Sequence, residues 1–162
     1  WLGVNLATAL LASSVINLFQ ATIEKVVALA VLMPIVASMG GIAGTQSLTI
    51  LIRAMAMGQI NDRNQFWVVG RESLVGALNG MLWALVIAAT AAIWFEDLTL
   101  GFIIACAMLI NLITAGCAGA GLPLALKKLH VDPALAGGVM VTTVTDVVGF
   151  LAFLGLATVF YA

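Results

Sequence analysis

An all-α integral membrane protein with five transmembrane helices is the fold this sequence predicts, and three observations predict it. Of its 162 residues, 64% are hydrophobic and only 8% charged, with a mean hydropathy of +1.21, whereas soluble domains carry about a quarter charged residues. Apolar runs alternate with short polar connectors, giving spans at approximately 1–19, 26–52, 66–95, 98–126 and 134–162, each near the ~20 residues that cross a bilayer. The last run holds a carboxylate, Asp146, near its middle, and no cation shares that run. A net charge of −1 gives no electrostatic case for nucleic acid. Five spans use up the length, so no soluble domain is expected within it.

The first span begins at Trp1, where an interfacial aromatic would sit, and gives way to a polar break at Gln20, Glu24 and Lys25. No initiator Met or charged segment precedes the first apolar run, which reads as an excised or processed membrane domain. The second span contains Pro34 and then MGGIAGTQS from Met39 to Ser47. A helix breaker, three glycines and three polar side chains predict a Pro/Gly-interrupted helix of the kind that builds transporter sites. Gly40, Gly41, Gly44, Thr45 and Gln46 are therefore candidates for a pore wall, although the same glycines also suit a tight helix crossing.

After a polar connector bearing Asn61, Asp62, Arg63 and Asn64, the third span holds RESLVGALNG. Arg71 and Glu72 point in different directions, so Arg71 is free to snorkel while Glu72 faces a cytoplasmic mouth. Asn79, deeper, suits an inter-helix hydrogen bond. The fourth span carries Asn111, Thr114 and GCAGAGLP and ends at Lys127 and Lys128. Its cysteines, Cys106 and Cys117, lie roughly 16 Å apart on one helix, which excludes a mutual disulfide. In the turn LHVDP, Asp132 is placed to cap the fifth helix, with Pro133 at its first position. His130 has no second His or Cys near it and reads as a loop residue.

On the fifth span, residues at helical spacing from Asp146 are Gly138, Thr142, Thr143, Thr145, Gly149 and Phe153. A charge at the bilayer centre costs at least ~3 kcal/mol, so it faces a cavity, a partner or an ion. The small residues and hydroxyls beside it are equally the material of close helix packing. A shift of 75 residues lays Gly41 to Gly44 over Gly116 to Gly119 and Arg53 over Lys128, a faint parallel repeat. Lys and Arg concentrate in the connectors after the second and fourth spans. That bias puts the N-terminus in the cytoplasm and the C-terminus outside a multi-pass chain of the cell (inner) membrane.

Catalysis is excluded by subtraction. Asp146 has no equal in a second span for an aspartyl dyad, the single His stands in a loop, and no His-Glu-x-x-His motif exists. Ion passage fits the residues present. Asp146 offers hard oxygen, Thr142 and Thr143 add hydroxyls or carbonyls, and the absence of thiolate or imidazole partners favours Mg²⁺ or Ca²⁺. One carboxylate is too little for a divalent ion, so a homodimer is expected, with Asp146 of each copy facing a pore at the two-fold axis. Glu72, Asn79, Gly138 and Gly149 join the second-span glycines as candidate pore-lining residues. A proton- or sodium-coupled carrier and a purely structural membrane module are the alternatives.

PIVASMGGIAGTQS (Pro34 to Ser47), RESLVGALNG (Arg71 to Gly80) and DPALAGGVMVTTVTDVVGF (Asp132 to Phe150) resemble the signature segments of the MgtE-type magnesium transporters. The resemblance extends over the whole chain. It implies a homodimeric, channel-like passive Mg²⁺ transporter embedded in membrane lipid, with Asp146 at the ion site and the Thr142 carbonyl nearby. It further implies that the family's N-terminal cytosolic Mg²⁺-sensing domains lie outside this chain. Two positions depart from the family pattern: Ile42 replaces Asn in the Gly-Gly-Asn segment, and Gly137 replaces Ser. These departures leave Mn²⁺, Co²⁺ or Ca²⁺ open as further ions at the same site.

Overall fold

A computed structural model describes residues 1–161, and all of its regular structure is helical. The helices, in order, are α1 (Leu2–Leu18), α2 (Gln20–Lys25), α3 (Ala28–Ala56), α4 (Gln65–Phe95), α5 (Leu98–Lys128) and α6 (Pro133–Phe160). In hydrocarbon every backbone polar group must find an internal partner, which is why the apolar runs become helices.

Four helices, α3 to α6, are long and apolar enough to cross a membrane. The expected fifth, α1, is apolar but only 17 residues long, roughly 26 Å at 1.5 Å per residue against a ~30 Å hydrocarbon core. It stops because Phe19 leaves helical geometry, at φ −109° and ψ 18°, and the chain turns into the short α2, where the sequence predicts a polar break rather than a helix.

The expected interruption of the second span is absent, since α3 runs unbroken through Pro34 and all three glycines. Pro34 lies in the second turn, where its ring removes a single backbone bond without ending the helix. The glycines keep helical backbones, and among the described residues the only glycine with positive φ is Gly58, past the end of α3. Gly58 closes that helix in a Schellman turn: its N–H donates to Met55 and that of Gln59 to Ala54. His130 does the same for α5 at φ 57°, with Val131 N–H donating to Leu126, a conformation that glycine would adopt without strain.

Caps fix the other ends. Asp132 Oδ1 accepts from Ala134 N–H at 2.8 Å, as the LHVDP turn predicts. Asp97 Oδ1 caps α5 by accepting from Thr99 N–H (2.8 Å) and Leu100 N–H (3.1 Å). Its other oxygen accepts from the Tyr161 hydroxyl, tying the end of α6 to the α4–α5 turn. The Tyr161 bond lowers the Asp97 pKa below its ordinary value of 3.8, and burial and the Asp97 charge raise that of Tyr161. A group with a depressed folded-state pKa contributes stability at neutral pH and loses it as pH falls through that value. Tyr161→Phe is therefore expected to unfold earlier than wild type at pH 7, with the difference shrinking below about pH 4; thermal melts across pH check this, and a constant difference would refute it.

At the centre lies α5, packed against α3, α4 and α6, while α1 and α2 cover α6. Ile103, Ile104 and Ala107 of α5 are fully buried with Leu29 and Val36 of α3 and Phe153 and Leu154 of α6. Phe153, read from the sequence as part of the Asp146 flank, thus belongs to the core. Lipid tails are as apolar as leucine, so close approach at small residues, not hydrophobic burial, must hold such helices together. The approaches are close. A Cβ at Gly119 would strike the Gly44 carbonyl, one at Gly116 the Glu72 carbonyl, and one at Gly76 the Leu112 carbonyl. Asn111 donates to the Val36 carbonyl across 2.8 Å. Val36 and Asn111, like Gly44 and Gly119, stand 75 residues apart, so α3 and α5 meet at positions that the faint repeat equates.

Candidate functional site

Asp146 lies on α6 opposite the middle of α3, and the two helices flank an open cavity of about 540 Å³ on the outer surface of the chain. From α3 come Ala37, Ser38, Gly41, Ile42, Thr45 and Gln46, and from α6 come Thr142 and Asp146. These α3 positions recur every three or four residues and therefore form one helix face. Gly41 faces the Thr142 methyl group, which a Cβ there would meet at 3.7 Å, an ordinary van der Waals contact.

Asp146 is half-buried. Among the described residues no hydrogen bond or ion pair engages its carboxylate. The cations are far off by topology: Arg53, Arg63, Arg71, Lys127 and Lys128 cluster at the end bearing the α3–α4 and α5–α6 connections, and Lys25 lies at the end of α2. The neighbouring hydroxyl protons are spent on the helix itself. Thr142 Oγ1 donates to Gly138 and Val139 carbonyls (3.0 and 3.1 Å), Thr143 Oγ1 to Val139 (2.6 Å), and Thr45 Oγ1 to Gly41 (2.6 Å). Their oxygens consequently present lone pairs rather than protons, the polarity a cation requires. Oxygen-only donors suit hard ions such as Mg²⁺ or Ca²⁺.

The remaining sequence-predicted residues separate into three places. Gly40, Gly44 and Gly149 are buried behind the cavity: Gly40 and Gly149 both abut Asn111, and Gly44 abuts Val141. Glu72 and Asn79 line a distinct cleft of about 110 Å³ between α3, α4 and α5, in which Glu72 accepts from Ser47 Oγ at 2.9 Å. Gln46 borders both this cleft and the Asp146 cavity. Arg71 stacks over Trp67 at 5.8 Å and makes no ion pair with Glu72. Thr143 and Gly138 lie beside the cavity on α6 without lining it, and a Cβ at Gly138 would meet open space.

Asn111, to which sequence reasoning gives a place in the fourth span but no role, is central to the packing. It is fully buried, its Nδ2 donates to the Val36 carbonyl and its Oδ1 has no partner among the described residues. From α5 it reaches between Gly40 of α3 and Gly149 of α6, and so props the two helices that carry the Asp146 cavity. The signal was a lone amide in an apolar run, with glycines able to admit it in two other spans.

The profile of the MgtE family, described as a divalent cation transporter, matches residues 33–156. The magnesium transporter MgtE of Bacillus subtilis is 36% identical over 160 residues, 99% of this chain and 36% of its own length. The namesake proteins of Enterococcus faecalis and Thermus thermophilus are each 32% identical, over 99% and 97% of this chain and 35% of their own lengths. The chain thus spans about a third of the curated relatives it matches. The resemblance carried by the three signature segments is borne out, and so is the exclusion of an enzyme, because the family is one of transporters. With four membrane-length helices and a profile match that covers all of α4 and α5 and most of α3 and α6, the chain belongs to the MgtE family of divalent cation transporters.

Proposed function

We propose that this chain is the membrane-crossing part of a channel-like Mg²⁺ transporter, passing the ion down its electrochemical gradient beside Asp146. The observation that carries the reading is a carboxylate without a partner, half-buried in an open cavity between two membrane-length helices, with the side-chain oxygens of Ser38, Thr45, Gln46 and Thr142 on the same wall. Such a charge is costly at membrane depth unless a cation compensates it. Relatives named as magnesium transporters point to the same cargo.

Asp146 holds the ion through its waters, because Mg²⁺ gives up its hydration shell reluctantly and is content with one or two carboxylates. Thr142 supplies a second oxygen on the same wall, with Thr143 behind it, and Gln46 and Thr45 face them from α3. A second copy of the chain, related by a two-fold axis, brings a second Asp146 to the path. Ile42, 57% exposed on the cavity wall, puts a hydrocarbon branch where the family pattern has an amide, so Mn²⁺ or Co²⁺ can share the route. In this reading α1 completes a fifth crossing, the connections rich in Lys and Arg face the cytoplasm, and the greater length of the relatives accommodates N-terminal sensing domains.

Mg²⁺ entry into proteoliposomes holding the intact protein, at an imposed membrane potential and with no proton or sodium gradient, tests the mechanism. Flux that tracks the potential alone is the expected result. Flux that appears only when a second ion's gradient is added would replace the channel with a coupled carrier.

A further inference from the structure

We infer that a groove between the start of α4 and the end of α5 binds an anionic phospholipid. Two adjoining clefts form it. One, of about 300 Å³, is almost wholly apolar, with Phe66 and Val69 on α4 facing Gly121 and Leu124 on α5. The other, of about 230 Å³, adds charged side chains, Asp62, Lys127 and Lys128. Gln65, Leu124 and Lys128 border both, so the surface passes from hydrocarbon to charge without a break.

The dimensions suit a lipid. Gly121 and Lys128 lie on one face of α5, seven residues and roughly 10 Å apart, the reach from an upper acyl segment to a phosphate. Gly121 leaves the groove floor bare, since nothing lies within 4 Å of where its Cβ would be. Phe66 and Trp67, 79% and 66% exposed at the first turn of α4, set the level of the headgroups, where aromatic side chains collect.

Charge selects the headgroup. Both ammonium groups are exposed, and among the described residues neither forms an ion pair. Asp62 shares the cleft but offsets only one of the two lysines. Lysines at a helix C-terminus also answer the helix dipole, but that role needs no apolar groove leading away from them. Basic pockets between membrane helices are the places where anionic headgroups bind. A free phosphate would use the lysines and leave the apolar half unfilled, which is why the occupant is a whole lipid.

Native mass spectrometry of the detergent-solubilised intact protein, titrated with phosphatidylglycerol or phosphatidylcholine, tests this directly. With Asp62 offsetting one lysine, one net positive charge remains, and phosphatidylglycerol is expected to be retained roughly fivefold more tightly. Lys127→Gln with Lys128→Gln should bring the two lipids close to parity. Gly121→Leu, whose Cβ meets open space, projects its side chain into the groove and should weaken both lipids while the melting temperature does not fall. Equal retention by wild type, a preference that survives the lysine substitutions, or lipid binding untouched by Gly121→Leu would each overturn the inference. Displacement of the bound lipid by inorganic phosphate alone would overturn it too, by reducing the site to one for free anions.

Discussion

Asp146→Ala is expected to lower Mg²⁺ flux about 100-fold or more while leaving the protein folded. At an effective dielectric constant near 20, a unit charge 4 Å from a cation is worth ~4 kcal/mol, and a hydrated ion stands somewhat farther off. Even 3 kcal/mol is more than a hundredfold in occupancy of the path. The loss should follow charge rather than shape, so Asp146→Asn is expected to fail nearly as badly and Asp146→Glu to keep part of the flux. The melting temperature should not fall in the Asn variant, because a partnerless carboxylate at membrane depth costs stability. Proteoliposome flux measured beside thermal unfolding separates the two effects. Undiminished flux in Asp146→Ala would move the ion path away from this cavity and make the Glu72 cleft the next place to look.

The second large effect concerns the seam between α4 and α5. Gly76 faces the Leu112 carbonyl and Gly116 faces the Glu72 carbonyl, each so near that a methyl group has no room. Backbone lies on the far side of both contacts, and backbone cannot turn aside as a side chain can. Gly76→Ala and Gly116→Ala are each expected to destabilise the fold by about 3 kcal/mol, the upper range for an overpacked site. Gly70→Ala on the same helix α4 meets nothing within 4 Å, and should stabilise by roughly 0.5–1 kcal/mol because alanine orders more cheaply in a helix. Chemical or thermal unfolding in detergent reads all three. A seam variant as stable as wild type would mean that the helices slide apart at little cost.

The glycines of α3 show why this residue was hard to assign from sequence. Gly40, Gly41 and Gly44 lie within five residues of one another, yet Gly41 alone borders the cavity while its neighbours abut Asn111 and Val141. Glycine carries no side chain to announce its side of the helix. In an apolar run the other residues barely help, since lipid-facing and protein-facing positions are both hydrophobic and amphipathic periodicity fades. Polar residues were more informative. Asp146 stood out because its charge has no inexpensive place in a bilayer, and Asp132 because a carboxylate before proline is the ordinary start of a helix.

Sequence alone determined that this chain is helical and membrane-embedded, and which family it joins, because a hydrocarbon solvent forces backbone groups to pair within each segment and the signature segments are contiguous. Tertiary structure decided the rest. Whether Pro34 and its glycines break α3, how far α1 extends, that Tyr161 closes on Asp97, and that Asn111 wedges between Gly40 and Gly149 all depend on how each helix is rotated and raised against its neighbours. Those two quantities are fixed by steric fit between residues distant in the chain, and local sequence does not contain them.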